Sequence, residues 1–340
     1  MADDRSAWTE PGTYEVASGV HRIPLPLPND GLRAVNVYAI VEPEGITLID
    51  GGWAIPESRE LLSASLRVLG AGLADIREFL VTHVHRDHYT QATAIRQEFG
   101  AQVSLGIGEK PTMDYLQSMD RHALEGEIAL LRALGASDLA DQFSALMAHH
   151  DEGNEVWDAP DRWLDAGVVS LSGTRQLEAV PTPGHTAGHL VFHDLTAGVV
   201  FAGDHVLPTI TPSIGFEPVR TEDPLGAFMK SLALMRSRPD GLLLPAHGPV
   251  TLSVHARVDE LLEHHRIRLD EIRAAARTGA TTAHEIARIL RWTRRQLSID
   301  DMDPFNAMLA TCETGAHLDL MVAEGSMKMI IVDGVRRYSE

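Results

Sequence analysis

Cysteine is almost absent from this sequence: Cys312 stands alone among 340 residues. One thiol closes no internal disulfide and builds no thiolate-rich metal site. Aromatic residues are sparse, at 5%. No apolar run approaches the roughly 18 residues that identify a membrane-spanning helix, so no membrane partner is expected. The start, Met1-Ala2-Asp3-Asp4-Arg5-Ser6, lacks the basic segment and apolar stretch of a secretory signal, and the expected location is cytoplasmic. Basic charge is scarce as well, with 29 Lys and Arg against 48 Asp and Glu, a net charge of -19. Residues 251–340 hold 12 basic and 14 acidic side chains, leaving 17 against 34 in residues 1–250. Nucleic-acid affinity comes largely from Lys and Arg displacing counterions, so this balance argues against a nucleic-acid partner and for a small-molecule substrate.

What is present is alternation. Strand-like runs at 19–25, 34–41 and 46–50 precede a helical spacing of Leu61, Leu62, Leu66 and Leu69 that closes at Gly70. A short strand at 79–81 leads into His83-Val84-His85-Arg86-Asp87-His88 and a helix ending before Gly100. Residues 110–165 show helical periodicity and little β character, and read as a helical insertion. Strands resume at 168–171, 177–180, 189–193, 199–202 and 242–244, with a helix over 224–235. The expected class is α/β and layered.

From Ser253 a long amphipathic helix predicts a second domain, so the chain divides into 1–250 and 251–340. Thr282-Ala283-His284-Glu285 has capping-box spacing, and a further helix over 304–324 leads to two strands around Asp333-Gly334. Helices followed by a hairpin resemble a winged-helix module.

Histidine supplies 17 of the 340 residues, so His83, His85 and His88 beside Asp87 are far denser than chance spacing. Crowded imidazoles and carboxylates are costly unless a cation holds them. His185 in Thr-Pro-Gly-His, Asp204 in Ala-Gly-Asp and His247 in Ala-His-Gly each follow a strand-like run, in loops where Pro and Gly fix the backbone. Imidazole and carboxylate suit Zn, and also Mn or Fe. His189, His193 and His205 read as packed or solvent-facing residues, His149, His150, His264 and His265 as surface residues on helices, and Tyr89 as core.

The ordered pattern HxHxDH, PGHTxGH, GD and AHG resembles the metallo-β-lactamase superfamily over roughly residues 15–250. The resemblance implies that family's αβ/βα four-layer sandwich. It places one metal on His83, His85 and His185 and a second on Asp87, His88 and His247. Asp204 would bridge them, Asp87 and Asp204 would be the catalytic carboxylates, and Asp50 would support the histidines from behind. Two divalent cations against two carboxylates leave surplus positive charge, enough to make a bridging hydroxide at neutral pH.

The chain departs from many relatives in having Tyr89-Thr90-Gln91 where they have two glycines. The insertion and tail resemble the hydroxyacylglutathione-hydrolase-like and β-lactamase-like-protein branch, which implies hydrolysis of a thioester, ester or lactone. Tyr115, Trp157 and Phe216 are candidates for lining the substrate pocket. A phosphodiesterase or endoribonuclease, an iron-dependent oxidoreductase, and a DNA-binding regulator using Arg291, Arg294 and Arg295 are the alternatives. The tail reads more simply as a lid or a homodimerisation module.

Overall fold

The computed structural model describes residues 7–28, 31–118, 125–147 and 157–340; His149 and His150 lie outside them. Strands β1 (Tyr14–Ala17), β2 (Val20–Pro26), β3 (Ala34–Glu42) and β4 (Gly45–Ile49) form a meander, then come α1 (Pro56–Val68), β5 (Ile76–Leu80), α2 (Arg86–Phe99) and β6 (Gln102–Gly106). Helices α3 (Lys110–Gln117), α4 (Glu125–Ala133) and α5 (Ser137–Met147) follow. Next are β7 (Arg162–Leu164), β8 (Gly167–Ser170), β9 (Gln176–Pro181), β10 (Leu190–Asp194), β11 (Val199–Gly203), α6 (Pro224–Ser237) and β12 (Leu242–Pro245). The chain ends with α7 (Val254–Ala276), α8 (Ala283–Ile289), α9 (Pro304–Ala323), β13 (Lys328–Val332) and β14 (Val335–Ser339).

Two compact units result. The first comprises residues 1–117, 154–212 and 231–259, the second 118–153, 213–230 and 260–340. In the first, seven strands pair in the order β1 to β7 and five in the order β12-β11-β10-β9-β8. Period-two alternation sorts their side chains. Val35, Val37 and Ala39 of β3, with Phe79 of β5, pack with Leu62, Leu66, Ala92 and Ile95 of α1 and α2. Tyr38, Ile40 and Leu80 face the other way and meet Leu177, Phe192, Phe201 and Leu244 of the second sheet. The helices thus cover one face of the first sheet while its other face meets the second sheet, which is why β3 is almost uninterruptedly apolar.

Strands β4 and β5 are parallel, as are β11 and β12, and β9 is antiparallel to β10, which is antiparallel to β11. The carboxyl ends of β9, β11 and β12 therefore lie at one edge of their sheet, and those of β4 and β5 at one edge of theirs. Loops at such ends are where α/β folds place ligands. Strands β1, β6 and β7 are additions to the sequence reading, and β7 falls inside the stretch read as a helical insertion.

The second unit buries Leu131, Phe143, Ile286, Met308, Leu318 and Met321 in one cluster. Thr282 Oγ1 accepts from Glu285 N–H at 3.2 Å and Glu285 Oε2 accepts from Thr282 N–H at 3.0 Å, so the capping box starts α8 as expected. His265 corrects the sequence reading. It is 1% exposed and pairs through Nδ1 with His317 Nε2 at 3.2 Å, while His317 Nδ1 donates to the Glu313 carbonyl at 2.7 Å.

Burial above all, then the neighbouring His317, pushes His265 down to about 2, and burial takes His317 to about 3. Both folded values lie below the ordinary 6.5, so the unfolded chain takes up these protons first. The stability of the neutral pair is fully present above pH 6.5 and is lost as pH falls below it. Between pH 7 and pH 5 the loss is about 2 kcal/mol for each histidine. A His265→Phe/His317→Leu chain should therefore show a smaller drop in urea midpoint from pH 7 to pH 5 than the wild type. Equal drops would refute this account of the pair.

Candidate metal centre

Five loops at strand ends supply the site. Val81 and Thr82 follow β5, and the chain turns so that His85 caps α2 in extended conformation (φ -60°, ψ 149°), with Asp87 and His88 in the first helical turn. His185 follows β9, Asp204 follows β11, and His247 follows β12. Asp50 follows β4 with φ of 62°, in the left-handed region that Asp tolerates better than most side chains.

The seven candidate ligands converge. His85 Nδ1 lies 3.0 Å from His83 Nε2 and 3.1 Å from His185 Nε2, so three ring nitrogens share one point. On the other side, His247 Nε2 lies 3.4 Å from Asp87 Oδ2, and His88 Nε2 lies 3.6 Å from the same oxygen. Asp204 reaches both groups, with Oδ2 3.5 Å from His185 Nε2 and Oδ1 3.4 Å from His247 Nε2 and 3.8 Å from His88 Nε2. The donor atoms of His83, His85 and His185, of His83, His88 and Asp204, and of Asp87, His88 and His247 each lie within 4.8 Å of one another.

The outer atoms of these rings are already used, which fixes what the inner ones offer. His88 Nδ1 meets Asp50 Oδ2 at 2.9 Å, His247 Nδ1 donates to the Ala34 carbonyl at 2.8 Å, and His83 Nδ1 meets Thr82 Oγ1 at 3.0 Å. Each of these three rings therefore turns its Nε2 inward, the atom that a cation would use. His88 Nε2, His247 Nε2 and Asp204 Oδ1 are buried and have no hydrogen-bond partner among the described residues. Orphaned acceptors facing one another are what a divalent cation satisfies, so the residues present fit one.

Charge agrees. Burial and the adjacent histidines push His83 well below 6.5, and burial and His185 take His85 down to about 3, so both rings are neutral donors. Burial opposes ionisation of Asp204, yet His247, His88 and His185 outweigh it and hold its carboxyl below the usual range.

Asp50 sits behind the cluster with both oxygens engaged. Its Oδ1 accepts from Thr82 N–H at 2.8 Å and from Thr82 Oγ1–H at 3.0 Å, while Oδ2 meets His88. One carboxylate thus orients two of the rings, His88 directly and His83 through Thr82. His189 is buried in a similar position, its Nδ1 on Thr182 Oγ1 at 2.8 Å and its Nε2 accepting from Asp204 N–H at 3.1 Å. Neighbouring Gly203 is needed there: a Cβ would stand 2.6 Å from His189 Nε2, and φ is +50°.

Glu109 escaped the sequence reading. Fully buried, it accepts from Thr186 Oγ1 and from the backbone N–H groups of Val84 and Gly188, so it ties the loop of His83 to the loop of His185. Gly188 permits this closeness, since a Cβ there would meet Glu109 N at 2.1 Å. A lone glutamate between a strand and a helix carries no motif, and only the contact reveals it.

Trp157 packs on the first unit's core and stacks on Tyr89, the centroids 6.3 Å apart and the planes 5° from parallel. Tyr89 is buried, as expected, and its hydroxyl donates to the Asp158 carbonyl at 2.5 Å. Phe216 packs on the second unit's core, edge-to-face with Phe305 at 6.1 Å. Tyr115 is half-buried on α3. Among the described residues no helix is long and apolar enough to cross a membrane.

Known proteins resemble this chain in sequence and fold. A family profile described as the metallo-beta-lactamase superfamily matches residues 30–247, which takes in Asp50 and every candidate ligand. The probable metallo-hydrolase YqjP of Bacillus subtilis is similar at 23% identity over 312 residues, 89% of this chain and 91% of that protein. A metallo-beta-lactamase family protein from Thermus thermophilus superposes with a TM-score of 0.77 at 24% identity, over 95% of this chain and 99% of its own. A beta-lactamase domain protein from Burkholderia ambifaria gives 0.75 at 25% identity, over 100% and 97%. With the profile spanning more than half of its length, this chain belongs to the metallo-β-lactamase superfamily and is a hydrolase on that family's α/β fold.

Proposed function

We propose that the chain hydrolyses a thioester, ester or lactone with the help of two divalent cations, zinc foremost. The observation that carries the reading is the set of buried, unpartnered acceptors on His88, His247 and Asp204, facing one another beside the nitrogen triad of His83, His85 and His185. By their positions, His83, His85 and His185 would hold one cation, Asp87, His88 and His247 the other, and Asp204 reaches both sets. When bound, such cations supply an acidified water as nucleophile and positive charge for the developing oxyanion.

The chain's own contribution is orientation. Asp50, Thr82 and the Ala34 carbonyl engage the Nδ1 atoms of His88, His83 and His247, so their Nε2 atoms point inward before anything binds. Glu109 and His189 hold the loops that carry His185 and Asp204. Preorganisation of this kind places charge where the transition state needs it without rearrangement during the reaction.

Acidic composition favours a small acyl substrate over a polyanion. A phosphodiesterase acting on nucleic acid needs a basic track, and residues 1–250 carry twice as many acidic as basic side chains. The test is a panel of a thioester, an ester, a lactone, a chromogenic β-lactam and a phosphodiester, each with and without chelator. Turnover should be highest on one of the first three and vanish with chelation. Turnover confined to the phosphodiester, or unmoved by chelator, would overturn the proposal.

A further inference from the structure

Strand β13 is an anomaly of the second unit. All five of its residues are exposed, with Met329 at 37%, Ile330 at 62%, Ile331 at 66% and Val332 at 38%. It pairs only with β14, in a two-stranded sheet. The far edge of β14 is engaged, since Tyr338 N–H donates to the Thr281 carbonyl at 2.7 Å. The far edge of β13 has no backbone partner among the described residues. Proteins commonly protect such an edge with proline, a bulge or an inward charge, and Met329-Ile330-Ile331-Val332 contains none of these.

The hairpin's register fixes which groups point outward. Val332 pairs with Val335 across the two-residue turn Asp333-Gly334, both at positive φ (51° and 80°). In a hairpin closed this way the pair flanking the turn is hydrogen-bonded, and bonded pairs alternate with unbonded ones. Val332, Ile330 and Lys328 therefore spend their backbone groups on β14, while those of Met329 and Ile331 face away from it. The outward Tyr338 N–H, opposite Met329, has the same phase.

We propose that this chain forms a homodimer through β13, two copies pairing antiparallel about a twofold axis at Ile330 to make a four-stranded sheet. Met329 of each copy then lies opposite Ile331 of the other, and the outward amides and carbonyls of all four residues are satisfied. Shifting the axis to Ile331 would instead require hydrogen bonds from Asp333, whose left-handed backbone is not extended. Charge fits the antiparallel sense. Each strand starts at Lys328 and ends at Asp333, so the basic end of one lies beside the acidic end of the other at both ends of the ribbon. The pairing covers four apolar side chains per copy and less than the ~1,200 Å² of a stable complex. The dimer is accordingly concentration-dependent, with a dissociation constant of about 1 to 100 µM.

Sedimentation velocity on the full chain, from about 1 to 300 µM, tests this across the expected constant. The sedimentation coefficient should rise from monomer toward dimer. Ile331→Lys should weaken association at least tenfold while leaving the melting temperature and hydrolysis unchanged. Ile331→Pro should do the same, because the N–H it removes faces away from β14. Ile330→Cys should give a disulfide-linked dimer under mild oxidation, since unbonded opposite residues stand about 4.5 Å apart, within disulfide range. Lys328→Cys should not. A monomer across the whole range, a dimer indifferent to Ile331→Lys and Ile331→Pro, or failure of Ile330→Cys to cross-link would each overturn the proposal.

Discussion

Asp204→Asn is expected to lower hydrolysis by on the order of 10³-fold or more, the scale at which charged groups acting as one unit fail. The carboxylate lies within 3.8 Å of imidazole nitrogens from three separate loops, and its Oδ1 is buried without a hydrogen-bond partner. Asparagine has the same shape but no charge, and its N–H₂ cannot take a cation's place as ligand. Its backbone N–H still donates to His189, so the turn itself is preserved. Stability in the presence of chelator should thus match the wild type within about 1 kcal/mol, the ordinary scale of a single substitution. Steady-state kinetics together with thermal melts check both halves. Undiminished turnover in the variant would remove Asp204 from the chemistry.

The second large effect is on stability. A ligand present at a thousand times its dissociation constant stabilises the folded state by about 4 kcal/mol. At roughly 2 to 4 °C per kcal/mol for a sizeable domain, chelation should lower the first unit's melting temperature by about 10 °C. Scanning calorimetry with chelator, and then with Zn, Mn or Fe returned singly, reads the effect and ranks the metals. In Asp204→Asn chelator should shift the transition far less. A wild-type transition that chelator leaves in place would mean that the buried acceptors hold no cation.

Much of this was legible in the residues themselves. His83, His85, Asp87 and His88 declared the site because crowding of that kind has few other uses, and Pro and Gly beside His185, Asp204 and His247 marked loops with fixed backbones. Strands β2, β3 and β4 of the meander were legible from turn residues between apolar runs. Strand β6 was not: Gln-Val-Ser-Leu-Gly buries four of its five residues, Ser104 among them, so no alternation of polar and apolar survives. Ser104 is tolerated there because its hydroxyl donates to Glu78 at 2.8 Å, a contact 26 residues away that no local window contains. Strand β7, with three residues, is too short to show a period.

His265 was misread for a related reason. Helix α7 is polar along much of its length, and a histidine within it looks solvated until His317, 52 residues on, supplies its partner. Asp50, Thr82 and Glu109 make the same point at the site. Their roles reside in what they touch, and only Asp50 had a motif to announce it.

The distribution of the ligands between the two sheets has a consequence for biosynthesis. The first sheet's loops contribute His83, His85, Asp87 and His88, the second sheet's His185, Asp204 and His247. A nascent chain emerging from the ribosome holds four of the seven candidate ligands until His185 is made, and lacks the last until residue 247 of 340. Cation capture would in this way be timed to the docking of two halves, and a chain interrupted before His185 would have little hold on an ion and be exposed to proteolytic clearance.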